Sequence, residues 1–116
     1  MATYTVTIVW TRTDTSTEWP WESPSRSGAF VDLDGVLVSR TSTISDDELT
    51  RTAVKVWSSK EEYIDLIINK NDDTFATLAG VVRTYMALNN FTSTVTEEDG
   101  TFKVFNSSNK TYEVQE

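Results

Sequence analysis

Cysteine and histidine are both absent from this chain of 116 residues. Without cysteine, disulfide bridges and thiolate metal sites are excluded. Without histidine, the chain lacks the commonest general base and the commonest zinc or copper ligand. Any catalysis would have to use carboxylates, lysine, tyrosine, serine or threonine. We therefore expect a protein with no metal site and no cofactor that is not an enzyme.

Positive charge and long apolar runs are also scarce. Ten Lys and Arg residues against eighteen Asp and Glu residues give a net charge of -8. This balance argues against a nucleic-acid-binding protein, which presents a basic surface to phosphates. No run reaches the roughly 18 apolar residues that a membrane span requires. The N-terminal segment MATYTVTIVWTR lacks a basic region and alternates in polarity, which predicts a strand rather than a signal peptide.

The first half of the chain predicts a strand, a long loop and a hairpin. Residues 3–12 alternate strictly, as in a half-buried strand. Residues 13–30 have no period, contain both prolines and read as a loop. Residues 36–57 read as a hairpin with an apolar base and a threonine-rich tip that projects beyond the core. With the turn centred on Asp46 and Asp47, Thr41 faces Thr52, and two residues further along Thr43 faces Thr50.

The second half predicts helices followed by another hairpin. Ser59 and Glu62 form a capping box for a short helix. Asp73 caps a second helix, and Asn89-Asn90 ends it. Its apolar residues recur at helical spacing and are expected to pack on the sheet: Phe75, Leu78, Val82 and Met86.

Residues 91–105 predict a hairpin that turns at an Asp-Gly pair, and a last short strand lies around Tyr112 to Val114. The whole pattern indicates a single α+β domain over residues 1–116. We expect an antiparallel sheet with a helical segment on one face, as a ferredoxin-like or split βαβ variant.

The segment VDLDGVLV resembles the nucleophile loop of haloacid-dehalogenase-like phosphatases. That resemblance implies a magnesium-dependent enzyme with Asp32 as nucleophile and Asp34 as acid and base. Such an enzyme needs Asp32 at the end of a buried parallel strand, followed by a crossover helix. The interval after Asp32 reads as a hairpin instead, so the alternative is a turn leading into the strand at Val36.

Charged residues cluster in two ways. Acidic clusters at residues 46–48, 72–73 and 97–99 fall in predicted turns or caps and are expected to be solvated, since none matches a calcium-binding loop. Arg40, Arg51 and Lys55 are predicted to share one face of the first hairpin. Three cations together could hold an anionic ligand or a partner's acidic edge, or could pair with nearby carboxylates.

Three segments, TVTIVWTR, SDDELTRTAVKVW and SSKEEYIDLI, resemble small virion-associated or uncharacterised proteins of tailed phages, marine cyanophages in particular. The pattern around Trp57 and Tyr63 is also similar to dimeric α+β-barrel proteins of the antibiotic-biosynthesis-monooxygenase type. The missing histidine and the loop in place of a first helix count against that activity. The absence of catalytically versatile residues, the projecting threonine-rich hairpin and the tryptophan-containing loop lead us to expect a non-enzymatic assembly protein. The phage resemblance implies that it resides in the virion or the host cytoplasm. The alternative is a small enzyme, either the phosphatase or a dimeric barrel enzyme.

The expected partner is another copy of the chain or a larger virion protein, without nucleic acid or membrane. Large aromatic residues on a loop either cap a sheet or dock into a partner. Neither lysine nor proline, which would blunt strand pairing with other chains, occurs between Ser39 and Ala53. The predicted interface therefore combines the loop tryptophans with the hairpin tip: Trp19, Trp21, Arg40, Thr41, Thr43, Thr50, Arg51 and Thr52.

Overall fold

The structure is a computed structural model that describes residues 2–20, 37–65 and 73–115, with side chains described except at residues 37 and 73–80. The described residues form six strands and two helices. These are β1 (Tyr4–Thr11), β2 (Leu37–Ile44), β3 (Thr50–Trp57), α1 (Lys60–Tyr63), α2 (Asp73–Leu88), β4 (Thr92–Glu97), β5 (Phe102–Asn106) and β6 (Thr111–Gln115). The strands form one antiparallel sheet in the order β2-β3-β1-β4-β5-β6. The expected combination of an antiparallel sheet with helices is thus confirmed.

The alternation of β1 divides the sheet into two faces. Tyr4, Val6 and Trp10 are buried on one side of β1, which we call the inner face; we call the opposite side the outer face. Registers with β3 and β4 carry this division across the sheet, because directly opposed residues point to the same side. The inner face contains every buried residue of the described strands: Tyr4, Val6, Trp10, Ala53, Trp57, Ser93, Val95, Glu97 and Phe105.

Helix α2 contributes Val82 and Met86 to the same buried cluster as Trp10. Its C-terminus is closed by Asn90, which adopts a φ of 58°, and by a 3.0 Å hydrogen bond from the Phe91 N–H to the Met86 carbonyl. This geometry satisfies the last helical carbonyls. Of the four apolar residues predicted to pack on the sheet, Val82 and Met86 are confirmed as buried. The side chains of residues 75 and 78 lie outside the described set.

The register of the β2–β3 hairpin differs from the predicted one by two residues. Thr43 lies opposite Thr52 rather than Thr50, and Thr41 lies opposite Val54 rather than Thr52. A shift of two residues preserves the side of the sheet on which each side chain lies, because side chains alternate with a period of two. For residues 39–44 the predicted faces are therefore correct although the predicted pairs are wrong, whereas an irregularity between Leu37 and Ser39 changes the register before that point.

The turn explains the shift. The Glu48 N–H donates to the Ser45 carbonyl over 2.9 Å, and Glu48 then adopts a φ of 61°. The Ser45 N–H donates to the Thr50 carbonyl over 2.8 Å. The loop between these paired residues is therefore longer than the predicted two-residue turn. A left-handed residue after such a turn matches the twist of the flanking strands. Asp47 stabilises the loop by accepting from the Ser45 hydroxyl over 2.6 Å.

The hairpin does not project from the sheet as predicted. Strand β3 pairs with β1 over its whole length, from Thr50 opposite Thr11 to Trp57 opposite Tyr4. It is therefore an interior strand, and only β2 presents an unpaired edge at this end of the described sheet. Within residues 2–20, 37–65 and 73–115, no helix has the length and apolar character needed to cross a membrane.

Candidate functional site

The structure separates the residues predicted to form an interface. By strand alternation Arg40 and Arg51 lie on the inner side of the hairpin, whereas the four threonines lie on the outer side: Thr41, Thr43, Thr50 and Thr52. Arg40, Thr41 and Thr43 are exposed on the edge strand, and the β3 residues are half-buried. Trp21 lies outside the described residues.

Trp19 is a core residue rather than an exposed contact. Only 2 % of its surface is accessible, and its ring meets that of Phe91 edge-on with centroids 6.0 Å apart. The guanidinium carbon of Arg12 lies 4.3 Å from the centre of the Trp19 ring, and Arg12 is itself held by a 2.7 Å hydrogen bond to the Thr17 carbonyl. Trp19 thus caps the inner face, the first of the two alternatives for the loop aromatics, and leaves the predicted interface without one of its members.

A cavity of about 360 Å³ lies on the inner face. Its walls come from β1, β3, α1, α2, β4, β5 and β6, so residues distant in sequence converge on it. They are Val6, Ile8, Lys55, Trp57, Tyr63, Arg83, Val95, Lys103, Thr111 and Tyr112. The volume falls in the range of small-molecule binding sites, roughly 300–1,000 Å³.

Three cations line this cavity: Lys55 of β3, Arg83 of α2 and Lys103 of β5. None of its described lining residues is acidic, although acidic residues outnumber basic ones in the whole chain. Arg40, Arg51 and Lys55 do share the inner side, as predicted, but only Lys55 reaches the cavity. Sequence analysis missed Arg83 and Lys103 because no local pattern shows that a helix and a fifth strand will meet β3.

Glu97 anchors one wall through a buried hydrogen-bond network. Its carboxylate accepts from the Tyr4 hydroxyl over 2.9 Å and from the Tyr63 hydroxyl over 3.2 Å. The Lys103 ammonium lies 2.7 Å from the same carboxylate. Glu97 is only 7 % exposed, so the expectation of a solvated turn at residues 97–99 is wrong for it, whereas Glu98 and Asp99 are exposed.

The alternation of side-chain directions along β4 could have identified Glu97 as an inward-facing residue. Ser93, Val95 and Glu97 occupy successive inward positions of this strand, and all three are buried. The turn begins one residue later than the acidic cluster suggests: the Glu97 N–H still pairs with the Thr101 carbonyl over 2.8 Å. Gly100 supplies the left-handed conformation of the turn, with a φ of 97°.

The tyrosines that bind Glu97 have altered acidity. Burial, together with the neighbouring Glu97 carboxylate, raises the pKa of Tyr4 and of Tyr63 well above the ordinary value for a phenol. Burial also raises the pKa of Tyr112, whose hydroxyl lies 2.8 Å from the Ser93 hydroxyl. The Tyr4 and Tyr63 hydroxyls therefore serve as hydrogen-bond donors to Glu97 rather than as bases.

We expect the free energy of unfolding to decrease as the pH rises above about 10, the ordinary pKa of tyrosine. The folded pKa values of Tyr4 and Tyr63 are raised, so their stabilisation is fully present below the unfolded pKa and is lost as the pH rises towards the folded values. Urea unfolding across the alkaline range measures this loss. Tyr63→Phe should give a shallower decline than the unaltered chain, and equal slopes would contradict the assignment.

Trp57, which lines the cavity, carries an unsatisfied hydrogen-bond donor. Trp57 is 4 % exposed, and its Nε1 has no hydrogen-bond partner. Its ring packs 5.5 Å from that of Tyr63. A buried N–H without an acceptor is destabilising unless something else supplies one. Because Trp57 lines the cavity, a molecule bound there is one source of such an acceptor.

No family model, curated protein or solved structure matches this chain. Among the described residues, no three carboxylates converge as a metal site would require. Asp32 and Asp34 lie outside the described residues. The cavity with its three cations, its buried carboxylate network and its unsatisfied indole is the arrangement of side chains in the described structure best suited to binding.

Proposed function

We propose that this chain is a non-enzymatic assembly protein that pairs with a second copy of itself through the outer face of its sheet. The observation that carries the proposal is the composition of that face. Across the three neighbouring strands β3, β1 and β4, the outer positions hold only threonine and valine: Thr5, Thr7, Val9, Thr11, Thr50, Thr52, Val54, Val56, Thr92, Thr94 and Thr96. None of these residues is buried.

Charge favours a second copy as the occupant of this face. A chain with a net charge of -8 repels its own copies wherever acidic surfaces meet. The outer positions of β3, β1 and β4 have no charged residue, and depletion of charge is typical of the centres of protein interfaces. Two such sheets can pack face to face with threonine and valine side chains interdigitating. Phe102 and Val104 of β5 extend the apolar part of this surface.

We further propose that the fold is a ferredoxin-like variant with its helices on the inner face. Support comes from the order β4-β1-β3-β2, in which every neighbouring pair is antiparallel and α2 lies between β3 and β4 in the chain. This is the strand arrangement of a ferredoxin-like sheet. Strands β5 and β6 then extend the sheet beyond β4. Open outer faces in folds of this kind are available for pairing between subunits.

The assembly formed in this way belongs, in our proposal, to a phage virion. The support is the resemblance of TVTIVWTR, SDDELTRTAVKVW and SSKEEYIDLI to small phage proteins. The protein would then reside in the virion or the host cytoplasm, bound to further copies or to a larger virion protein. In the described sheet the outer edge of β2, where Arg40, Thr41 and Thr43 are exposed, offers a site for the larger protein.

The two enzymatic alternatives differ in their support. The phosphatase requires a buried parallel strand ahead of its nucleophile, whereas the described strands pair exclusively in antiparallel fashion. The dimeric α+β-barrel enzyme remains a second candidate function because a cavity of suitable volume lies on the inner face. A dimer formed through the outer face is compatible with both the assembly role and the barrel enzyme.

The mass of the protein in solution tests the assembly. Light scattering should show the unaltered chain as a dimer or larger, whereas Thr7→Glu should be monomeric with an unchanged circular dichroism spectrum. Thr7 lies at the centre of the outer face, opposite Val54 and Thr96, and juxtaposed like charges in an interface cost several kcal/mol.

Thr15→Glu is the matched control, because it adds the same charge to an exposed turn and should leave the mass unchanged. A folded Thr7→Glu variant that keeps the mass of the unaltered chain would remove the outer face from the assembly. A chain that is monomeric at every concentration would refute self-association altogether.

A further inference from the structure

We propose that the cavity on the inner face binds a small organic carboxylate with an apolar body, such as an aromatic or branched aliphatic acid. The proposal is independent of the assembly role, because a single copy of the chain supplies the whole described wall. It rests on three features of that wall: an apolar floor with aromatic sides, a cluster of cations, and a buried donor without an acceptor.

The apolar part of the cavity wall favours a ligand that has an apolar organic body. Val6 and Ile8 of β1 and Val95 of β4 form a continuous aliphatic surface, since Ile8 lies opposite Val95 and two residues from Val6. The aromatic rings of Trp57, Tyr63 and Tyr112 add further apolar surface. A body that covers these groups gains the hydrophobic contribution of their burial. An inorganic anion would leave them in contact with water.

The cations select a negative charge. Positively charged groups that line one cleft focus their field there and attract anions. Lys103 is already paired with Glu97 at 2.7 Å. Arg83, in contrast, forms no ion pair with a carboxylate of the described residues. A guanidinium is a planar donor that binds a carboxylate through two parallel hydrogen bonds, and Lys55 adds positive potential from β3.

The indole of Trp57 selects an acceptor. Trp57 is buried, lines the cavity and lacks a partner for its Nε1 hydrogen. A carboxylate has acceptor sites on both oxygens, so that it can satisfy Arg83 and another donor together. The Tyr63 hydroxyl is already donated to Glu97. Trp57 therefore becomes the neutral donor that we assign to the ligand.

Titration calorimetry with matched small molecules tests the chemistry. Phenylacetate and isovalerate carry both a carboxylate and an apolar body. Phenylacetamide lacks the charge, acetate lacks the body, and inorganic phosphate is an anion without any apolar part. We expect phenylacetate or isovalerate to bind at least about tenfold more tightly than each of the three controls, the ratio that corresponds to the loss of one charge-assisted hydrogen bond.

Substitutions test the location. Arg83→Gln and Lys55→Gln, made separately, should each weaken binding of the carboxylate by about tenfold. Arg40→Gln is the matched control: Arg40 lies opposite Lys55 on the inner side of β2 but does not line the cavity, and its removal should leave the affinity unchanged. In nuclear magnetic resonance spectra, the indole N–H signal of Trp57, assigned by comparison with Trp57→Phe, should shift on binding.

The outcomes are distinct from those of the assembly test, since Thr7→Glu lies on the opposite face of the sheet and should bind the carboxylate normally. Equal binding of phenylacetate and phenylacetamide would overturn the role of the cations. Binding of phosphate in preference to both carboxylates would refute the inference that the ligand has an apolar body. Absence of binding by both carboxylates, or an unchanged affinity in folded Arg83→Gln and Lys55→Gln, would overturn the site itself.

Discussion

Trp19→Ala is expected to lower the free energy of unfolding by about 3–5 kcal/mol, the cost of truncating a fully buried tryptophan. The side chain is 2 % exposed and belongs to the cluster that contains Trp10, Met86 and Phe91. Its removal would leave a large cavity and would also remove the ring against which the Arg12 guanidinium lies at 4.3 Å. Urea unfolding followed by circular dichroism measures the change.

Leu88→Ala provides the control for this truncation. Leu88 is 76 % exposed at the end of α2, so removing its side chain should change stability by no more than about half a kcal/mol. If Trp19→Ala were as mild as Leu88→Ala, Trp19 would not be a core residue, and the loop aromatics would again be candidates for contact with a partner.

Local patterns predicted the elements of this fold well. The strict alternation of residues 3–12 corresponds to β1, whose inward residues Tyr4, Val6 and Trp10 are buried. The capping box at Ser59 is present, since its hydroxyl accepts from the Glu62 N–H over 3.1 Å. The Asp-Gly turn leads into β5 as expected. In each case the signal is contained within a few neighbouring residues, where propensity and periodicity act directly.

Predictions that depended on the neighbours of an element were less accurate. The hairpin register was two residues in error because a left-handed glutamate, Glu48, takes a conformation more typical of glycine or asparagine. The hairpin was expected to project because its tip is polar on both sides, yet β1 pairs with β3 along the whole length of β3. Polarity of a strand tip does not reveal whether another strand pairs with it, because backbone pairing places no demand on side-chain polarity.

The candidate site was the least predictable part. Lys55 was identified as one cation of a possible anion site, but its partners in the cavity, Arg83 and Lys103, come from α2 and β5. Their convergence follows from the order of strands in the sheet, which no local pattern encodes. The inward position of Lys103 could have been inferred once β5 was placed, because it is two residues from Phe105 on the same face. That inference requires the topology first.

The division of the sheet into two faces connects the proposals. Every buried residue of the described strands lies on the inner face, together with the cavity. The outer positions of β3, β1 and β4 are half-buried or exposed and carry no charge. Pairing through the outer face would therefore leave the cavity accessible, and a ligand in the cavity would not compete with a second copy of the chain.

Glu97→Gln is expected to destabilise the fold by about 3–5 kcal/mol, the cost of removing one partner of a buried ion pair. The substitution leaves the Lys103 ammonium, now 2.7 Å from a carboxylate oxygen, without a counter-charge in a buried setting. It also replaces the acceptor shared by the Tyr4 and Tyr63 hydroxyls with an amide that has a single acceptor oxygen. Both effects act on the folded state, so urea unfolding should show a lower midpoint with an unchanged slope.

The double variant Glu97→Gln with Lys103→Met separates the charge from the hydrogen bonds. Removing Lys103 abolishes the unpaired charge that Glu97→Gln creates, so the double variant should be more stable than Glu97→Gln alone, and the cycle should give a coupling of about 0.5–3 kcal/mol. Glu61→Gln, at an exposed position of α1, should change stability by no more than about half a kcal/mol and controls for the loss of one negative charge. If the two substitutions were simply additive, Glu97 would stabilise the fold through its tyrosine hydrogen bonds rather than through its ion pair with Lys103.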